Sequence, residues 1–376
     1  MRVAIIHPWF PQYRKAFFDR LLELGHAEGI HVDIFHGSPP PEWQERGDSV
    51  SEEYATRMKT KFFRFRGKNL VYKSPNTVWK RGPYDLLILE QAVRNLETYA
   101  FLLRRQGAHI AFWGHGKTYT NATGKTQERF KELLTRRGRW FFSYTKGGRA
   151  AVTAAGFPAN RITVVQNSVD STELKKAISK ITASSKQAFI EKYDLRAKTG
   201  LFIGGLDASK RLNFLLEAAD RAHELDQDFR LIFVGSGSHQ YLVEQAAAMR
   251  PWIIYLGSLF GDEKALAMAA AEVLLMPGRV GLVAVDSFAS GTPIVTTNWT
   301  LHAPEFEYLE AGHNAIVTEN NINAYACAIV ETLNDAEMLI SLKTSALKSS
   351  EAYSVENMAA NFIQGLTAMK EELQRD

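Results

Sequence analysis
One cysteine, Cys327, is all the thiol chemistry that 376 residues contain. That excludes an intramolecular disulfide and a thiolate zinc cluster, and makes a reducing, cytoplasmic setting the expectation. Long apolar runs are missing too: no stretch reaches the roughly 18 residues that suggest a membrane-spanning helix. The N-terminal stretch, Met1 to Ile6, breaks at His7-Pro8 and is too short for a signal peptide. No cluster of Asp, Glu and His with ligand spacing is visible, so no metal is expected. No nucleic-acid-binding motif accompanies the basic stretches either. What remains, 45% hydrophobic and 23% charged, is an ordinary globular composition, long enough for two domains with separate cores.

Acid is scarce in the first half. Residues 1–180 hold 30 Lys/Arg against 16 Asp/Glu, a balance of +14, while residues 181–376 hold 15 against 25, or −10; together they give the +4 of the whole chain. A basic half joined to an acidic one points to an anionic surface or substrate for the first, or to a merely solvated basic face. Nine basic residues lie between Arg57 and Arg81, and no acid stands between Glu53 and Asp85. Within that irregular segment, residues 38–82, Phe62-Phe63-Arg64-Phe65-Arg66 interleaves rings with charges. Such a run suits an anionic membrane surface, an acidic glycan or lipid diphosphate, or a strand with its rings partly in a core.

Short apolar runs alternate with helical patterns along the chain. Val3 to Ile6, Ile30 to His36, Tyr84 to Glu90, His109 to Gly114, Trp140 to Thr145 and Arg161 to Val165 read as strands of one parallel sheet. A second series starts at Gly200-Leu-Phe-Ile-Gly-Gly and continues through Arg230 to Val234, Trp252 to Leu256, Val273 to Leu275 and Ile294 to Thr297. Two such series give two Rossmann-like domains. The Ser/Lys-rich residues 171–186 read as a linker with a helix. Loops at the carboxyl ends of parallel strands are where such proteins bind ligands. His115, between Gly114 and Gly116, stands in one of them, above the other nine histidines as a candidate although a lone histidine is more often structural.

The stretch Met276 to Val295 concentrates the signal. Pro277-Gly278 turns the chain, Gly281 to Ala289 is free of helix breakers, and Gly291-Thr-Pro293 ends the helix before the next strand. A strand, a glycine turn and a helix with free first amides make an anion site, unless the turn is a plain βα connection. Arg279 adds a charge, and Asp286 can accept hydrogen bonds from sugar hydroxyls.

Gly281-Leu282-Val283, Asp286, Ser290-Gly291 and Pro293-Ile-Val295 resemble the donor-binding motif of retaining GT-B glycosyltransferases, the large family that includes sucrose synthase-like and phosphatidylinositol mannosyltransferase-like enzymes. That family has two glutamates with seven residues between them; here Gly278 replaces the first, and Asp286 shortens the second. The resemblance implies two Rossmann-like domains facing a cleft: residues 1–175 with a C-terminal helix of about 360–376 on the acceptor side, and 186–355 on the nucleotide side. It implies a diphosphate held by Lys210, with Arg211 or Arg279 replacing an arginine whose place Gly205 takes. It places Gly235 and Leu259 on the nucleotide and base, amides of Gly278, Gly281, Leu282 and Val283 near the donor, and His115 and Asp286 in catalytic positions. Arg14, His115 and Asn167 fall on the acceptor side, although Arg14 is as well placed to pair with a surface acid.

The expected activity is metal-independent, retaining transfer of a sugar from a nucleotide diphosphate to a glycan or lipid-linked acceptor, in bacterial surface polysaccharide synthesis. The nucleotide sugar is substrate, and no cofactor is required. Peripheral attachment to the inner face of an anionic membrane is a further expectation; nucleic acid is not a partner. Two alternatives stay open: a non-catalytic nucleotide- or glycan-binding partner, suggested by Gly278, and a sugar-nucleotide epimerase of the same fold.

Overall fold
The computed structural model describes residues 1–40, 51–65, 67–119, 125–195 and 198–375. The chain divides into two compact units, residues 1–170 with 355–376, and residues 171–354.

The first unit holds a seven-stranded sheet. Its strands are β1 (Arg2–His7), β2 (His31–His36), β3 (Ala55–Arg57), β6 (Leu86–Glu90), β7 (His109–Gly114), β8 (Trp140–Ser143) and β9 (Ile162–Val164). The order is β3-β2-β1-β6-β7-β8-β9 and every pairing is parallel. Both faces are covered, which is why the strands read as continuous apolar runs. In β1, Val3 and Ile5 enter one core while Ala4 and Ile6 enter the other, and β6 and β7 alternate in the same way. The helix Val355–Arg375 closes the first face with a stripe at helical spacing: Met358, Phe362, Leu366 and Met369 are buried. Phe362 stacks on Phe142 with ring centroids 4.2 Å apart.

Residues 38–82 are more regular than their composition suggests. They form β3, an antiparallel hairpin of β4 (Thr60–Phe65) and β5 (Lys68–Lys73), and the short helix Asn76–Arg81. The hairpin pattern is masked in the sequence because its charges and rings serve two differently solvated faces.

The second unit has strands β10 (Lys198–Ile203), β11 (Phe229–Val234), β12 (Ile253–Tyr255), β13 (Val273–Leu275), β14 (Ile294–Thr297) and β15 (Ala315–Thr318). Their order is β12-β11-β10-β13-β14-β15, all parallel: in unit numbering 3-2-1-4-5-6, the Rossmann order. The stretch read as a linker is instead part of this unit. Its helices Thr172–Ser179 and Ala183–Lys192 bring Leu174 and Ala177 into the core, with Phe189 and Ile190 packed against it. Few apolar residues among many serines and lysines hid that face. No helix among the described residues is long and apolar enough to cross a membrane.

Candidate functional site
In the second unit the chain reverses direction across the sheet between β10 and β13, the neighbours at its centre. The loops after these two strands diverge there and leave a crevice, the usual ligand place in an open α/β sheet. The loop after β10 runs Gly204 to Arg211, and the loop after β13 runs Met276 to Leu282. They are stitched together: Arg279 N donates to Ser209 O at 2.9 Å, and Lys210 Nζ donates to Arg279 O at 2.7 Å.

Lys210 and Arg279 are therefore neighbours. Neither makes an ion pair among the described residues, and Arg279 Nε is buried without a hydrogen-bond partner. Desolvation lowers the Lys210 pKa to about 8; Asp207 opposes the shift and the Arg279 charge adds to it. Two close cations sharing little counter-charge favour an anion between them. The amides of Gly281 and Leu282, just before the helix Val283–Ser290, donate to no acceptor among the described residues.

Gly278 packs directly on the loop after β10: a Cβ there would lie 2.5 Å from Ser209 O. Gly235, at φ +138°, similarly abuts Gly204, so the loops after β10 and β11 touch. Leu259 packs against the unit's core beside these loops. Asp286 is not open. Lys264 Nζ reaches its carboxylate at 2.7 Å, both side chains being about a quarter exposed.

Arg211 is turned to structural use. It occupies the left-handed region at φ +56°, donates to Pro277 O at 3.1 Å and Asn320 Oδ1 at 2.7 Å, and lies over Phe214. Of the two candidates for the replaced arginine, the structure brings Arg279 to Lys210 and commits Arg211 elsewhere.

A residue that sequence reasoning missed holds this loop. His302 is 4% exposed and stacks flat on Phe306 at 4.1 Å. Its Nδ1 accepts from Val280 N at 3.1 Å, so the proton sits on Nε2, which donates to Thr297 O at 2.8 Å. Desolvation, then the Arg211 and Lys210 charges, lower its pKa to about 4 against the opposing Thr297 bond, and the ring stays neutral at pH 7. Thr296 and Thr297 add bonds to Met276 O and Pro277 O. No spacing in the sequence ties His302 to Val280, 22 residues away.

In the first unit, His115 follows β7 on a loop fixed by Gln91, whose Oε1 accepts from Gly116 N at 2.9 Å. Gly116, at φ +79°, lies so close to Gly148 that a Cβ would be 2.4 Å from its carbonyl oxygen. The His115 ring faces Tyr144 at 4.5 Å. Desolvation by surrounding protein, then the Lys131 and Arg14 charges, lower its pKa to about 3. Part of the residue is exposed, and water there screens the shift; the direction, a neutral ring at pH 7, is what bears on chemistry.

Arg14 and Asn167 meet, as Nη2 donates to Oδ1 at 2.6 Å. Arg14 is 3% exposed, however, with further contacts to Ser168 O and Met358 Sδ. The alternative of a pairing with a surface acid is thus corrected: the guanidinium is sealed in the first unit on neutral partners. Among the described residues no group of three or more His, Cys, Asp or Glu is placed to hold a metal.

Comparisons with known proteins agree with this geometry. Residues 197–335 match the family described as glycosyl transferases group 1. A phosphatidyl-myo-inositol mannosyltransferase of Mycobacterium leprae is 31% identical over 148 residues, 38% of this chain and 39% of the relative. A D-inositol 3-phosphate glycosyltransferase of Corynebacterium urealyticum is 28% identical over 229 residues, 56% of this chain and 53% of the relative. The matches thus span well under two thirds of these relatives. Among solved structures, Anabaena HepE in complex with UDP has a TM-score of 0.68 at 13% identity, over 98% of this chain and 100% of that one. Sucrose-phosphate synthase from Thermosynechococcus elongatus gives 0.69 at 16%, over 99% and 100%. The chain therefore has the GT-B fold of two Rossmann-like units, and its stretch 197–335 belongs to the glycosyl transferases group 1.

Proposed function
We propose that the protein is a glycosyltransferase that takes a sugar from a nucleotide diphosphate held by the second unit and passes it to a glycan or lipid-linked acceptor. The observation that carries this reading is the Lys210–Arg279 pair at the Rossmann switch point, with free amides beside it. Support also comes from the mannosyl- and glycosyltransferases among the relatives and from the UDP and UDP-glucose in complexes of HepE.

In the transfer, the bond between the sugar's anomeric carbon and the distal phosphate oxygen breaks, and its electron pair leaves with the diphosphate. A bond to the acceptor oxygen forms, and that oxygen's proton passes to the departing diphosphate. Lys210 and Arg279 stabilise the charge growing on the leaving group, the work a metal ion does elsewhere. Retention of configuration goes with the family motif. The acid that the motif would place at 278 has no counterpart, so positioning and leaving-group stabilisation carry more of the catalysis. His115 is neutral at pH 7 and is assigned to the acceptor side of the transferred sugar. Asp286, released from Lys264, is assigned to a donor hydroxyl.

Lys210→Ala is expected to weaken UDP binding by about 1.5–3 kcal/mol, roughly 10- to 150-fold, because charged hydrogen bonds to phosphate are lost. Uridine, lacking phosphate, should be little affected. The cation exists below a pKa of about 8 and disappears above it. UDP affinity of the wild type should therefore hold at pH 7 and fall as pH rises past 8, and the Lys210→Ala variant should lack that step. Calorimetric titration reads both; unchanged UDP affinity in Lys210→Ala and Arg279→Ala would place the donor elsewhere. A binding partner without catalysis would bind UDP-sugar but neither hydrolyse nor transfer it.

Association with anionic membrane belongs to the same proposal. The hairpin exposes Lys61 and Phe63, and the helix Lys125–Thr135 presents Phe130 and Leu133 beside Arg129. Cations near an anionic leaflet contribute about 1 kcal/mol each, within a Debye length of about 10 Å. Sedimentation with vesicles should rise with phosphatidylserine, fall with salt, and weaken in a Lys61→Ser, Phe63→Ser, Arg129→Ser, Phe130→Ser variant. Equal partitioning onto neutral vesicles would remove the membrane from the proposal.

A further inference from the structure
The rule that locates a ligand site in the second unit applies to the first as well. β1 lies between β2 and β6, so the loops after β1 and β6 part at the carboxyl edge of that sheet. A pocket of about 220 Å³ occupies the place where they part. Pro8 and Trp9 line it from the loop after β1, Glu90 at the end of β6 and Arg94 from the loop beyond it, and the β4–β5 hairpin closes it.

The hairpin register decides which side chains serve the pocket. Phe62 pairs with Val71 and Arg64 with Asn69, and alternation along each strand sets these four on one face. Lys61, Leu70 and Tyr72 belong to the opposite face. Of the basic and aromatic run, Phe62 and Arg64 line the cavity from this face, and Phe63 of the other face lines it too.

The walls are tied to one another. Val71 N donates to Arg94 O at 3.0 Å, and Asn95 Nδ2 donates to Glu90 Oε2 at 2.7 Å. Lys73 is neutralised by Glu97 at 2.6 Å. Arg64 and Arg94 are both exposed and make no side-chain hydrogen bond or ion pair among the described residues. The pocket therefore offers an aromatic and apolar floor, a carboxylate and amides for hydroxyl groups, and two unengaged guanidinium groups. Planar forked donors of this kind match carboxylate and phosphate oxygens.

We propose that this pocket binds a sugar ring carrying a carboxylate or phosphate, with the ring against Trp9 and Phe62, hydroxyls on Glu90 and Asn69, and the anion on Arg64 and Arg94. Its description as the acceptor's subsite rests on the glycosyl-transfer reading; the binding does not. The volume is below the roughly 300 Å³ of a drug-sized site and suits a single ring rather than an oligosaccharide.

The test titrates methyl glucuronide, glucose 6-phosphate and methyl glucoside into the full chain, followed by tryptophan fluorescence, with Trp9→Phe as the control for signal origin. One or both charged sugars should bind at least tenfold more tightly than methyl glucoside, and the two arms tell carboxylate from phosphate. The advantage should vanish in Arg64→Ser/Arg94→Ser, both exposed positions where folding is not at stake. Equal binding of charged and neutral sugars, or a preference that survives the double variant, would overturn the assignment. UDP titration of the same samples separates the two proposals. A lost anion preference with UDP affinity intact sinks the pocket alone. Absent UDP binding with the preference retained supports the pocket and sinks the donor reading.

Discussion

Gly278→Glu, which restores the acid of the resembled motif, is expected to destabilise the second unit rather than raise activity. The collision begins at the first side-chain atom. A Cβ at 278 would lie 2.5 Å from Ser209 O and from the Lys210 carbonyl carbon. The backbone cannot step aside cheaply, because the loop is held on every side. Arg279 N binds Ser209 O, Lys210 Nζ binds Arg279 O, and Arg211 and Thr297 both donate to Pro277 O. Val280 N is fixed on His302 Nδ1. Overpacking of a tight site costs about 1–3 kcal/mol. Each hydrogen bond surrendered to relieve it adds about 1 kcal/mol. A total on the order of 3–5 kcal/mol is a large part of the 5–15 kcal/mol typical of a domain. Gly278→Ala should show most of that loss, since the Cβ makes the clash. Urea unfolding checks both variants, with UDP affinity as a second reading. Midpoints equal to wild type in either would mean that the loop adapts and the contact with the 209–210 backbone is not tight.

The same loop shows what a single sequence discloses. Its turn, its helix and the following strand were legible because glycine, proline and apolar runs act locally. Most strands of both sheets were legible for the same reason, β3 within the segment read as irregular being an exception: Val3 to Ile6 and Leu231 to Val234 are apolar throughout, as strands covered on both faces must be. The pairing of Lys210 with Arg279 was foreseen only as one of two options, since 69 positions separate them and choosing required the left-handed turn at Arg211. For Arg14 an acceptor-side place and a pairing with a surface acid both stayed open, because nothing near it in sequence reveals the burial it gains beside Asn167 and Met358. His302 carried no signal, being significant only through Val280 and Thr297. Residues 171–186 and the 60–73 hairpin were obscured by composition, as solvated faces rich in lysine and serine outweighed a few buried apolar positions. Local punctuation was readable; long-range pairing of polar groups was not.

Glu97→Ala is expected to cost the first unit about 3–5 kcal/mol, the range for breaking a buried ion pair from one side. Lys73 and Glu97 have side chains 1% and 2% exposed, with Nζ 2.6 Å from Oε1. The second carboxylate oxygen accepts from Lys73 N at 3.2 Å, so one side chain satisfies both an ammonium and a backbone donor. Water cannot replace it, and the lysine stem has little room to swing out. Its Cδ lies only 2.7 Å from the place a Cβ on Gly37 would take. Removing the carboxylate leaves an uncompensated cation at the end of β5, and the unit lowers that cost by letting the hairpin go. Replacing both partners, Lys73→Met with Glu97→Leu, removes the charge along with its need for a partner and should recover much of the stability. Hydrogen exchange separates this local role from a general loss: amides of β4 and β5 should lose protection before those of β1 and β6 in Glu97→Ala, while UDP binding to the second unit is retained. A cost below about 1 kcal/mol, with hairpin protection unchanged, would mean that the pair does not hold the pocket wall.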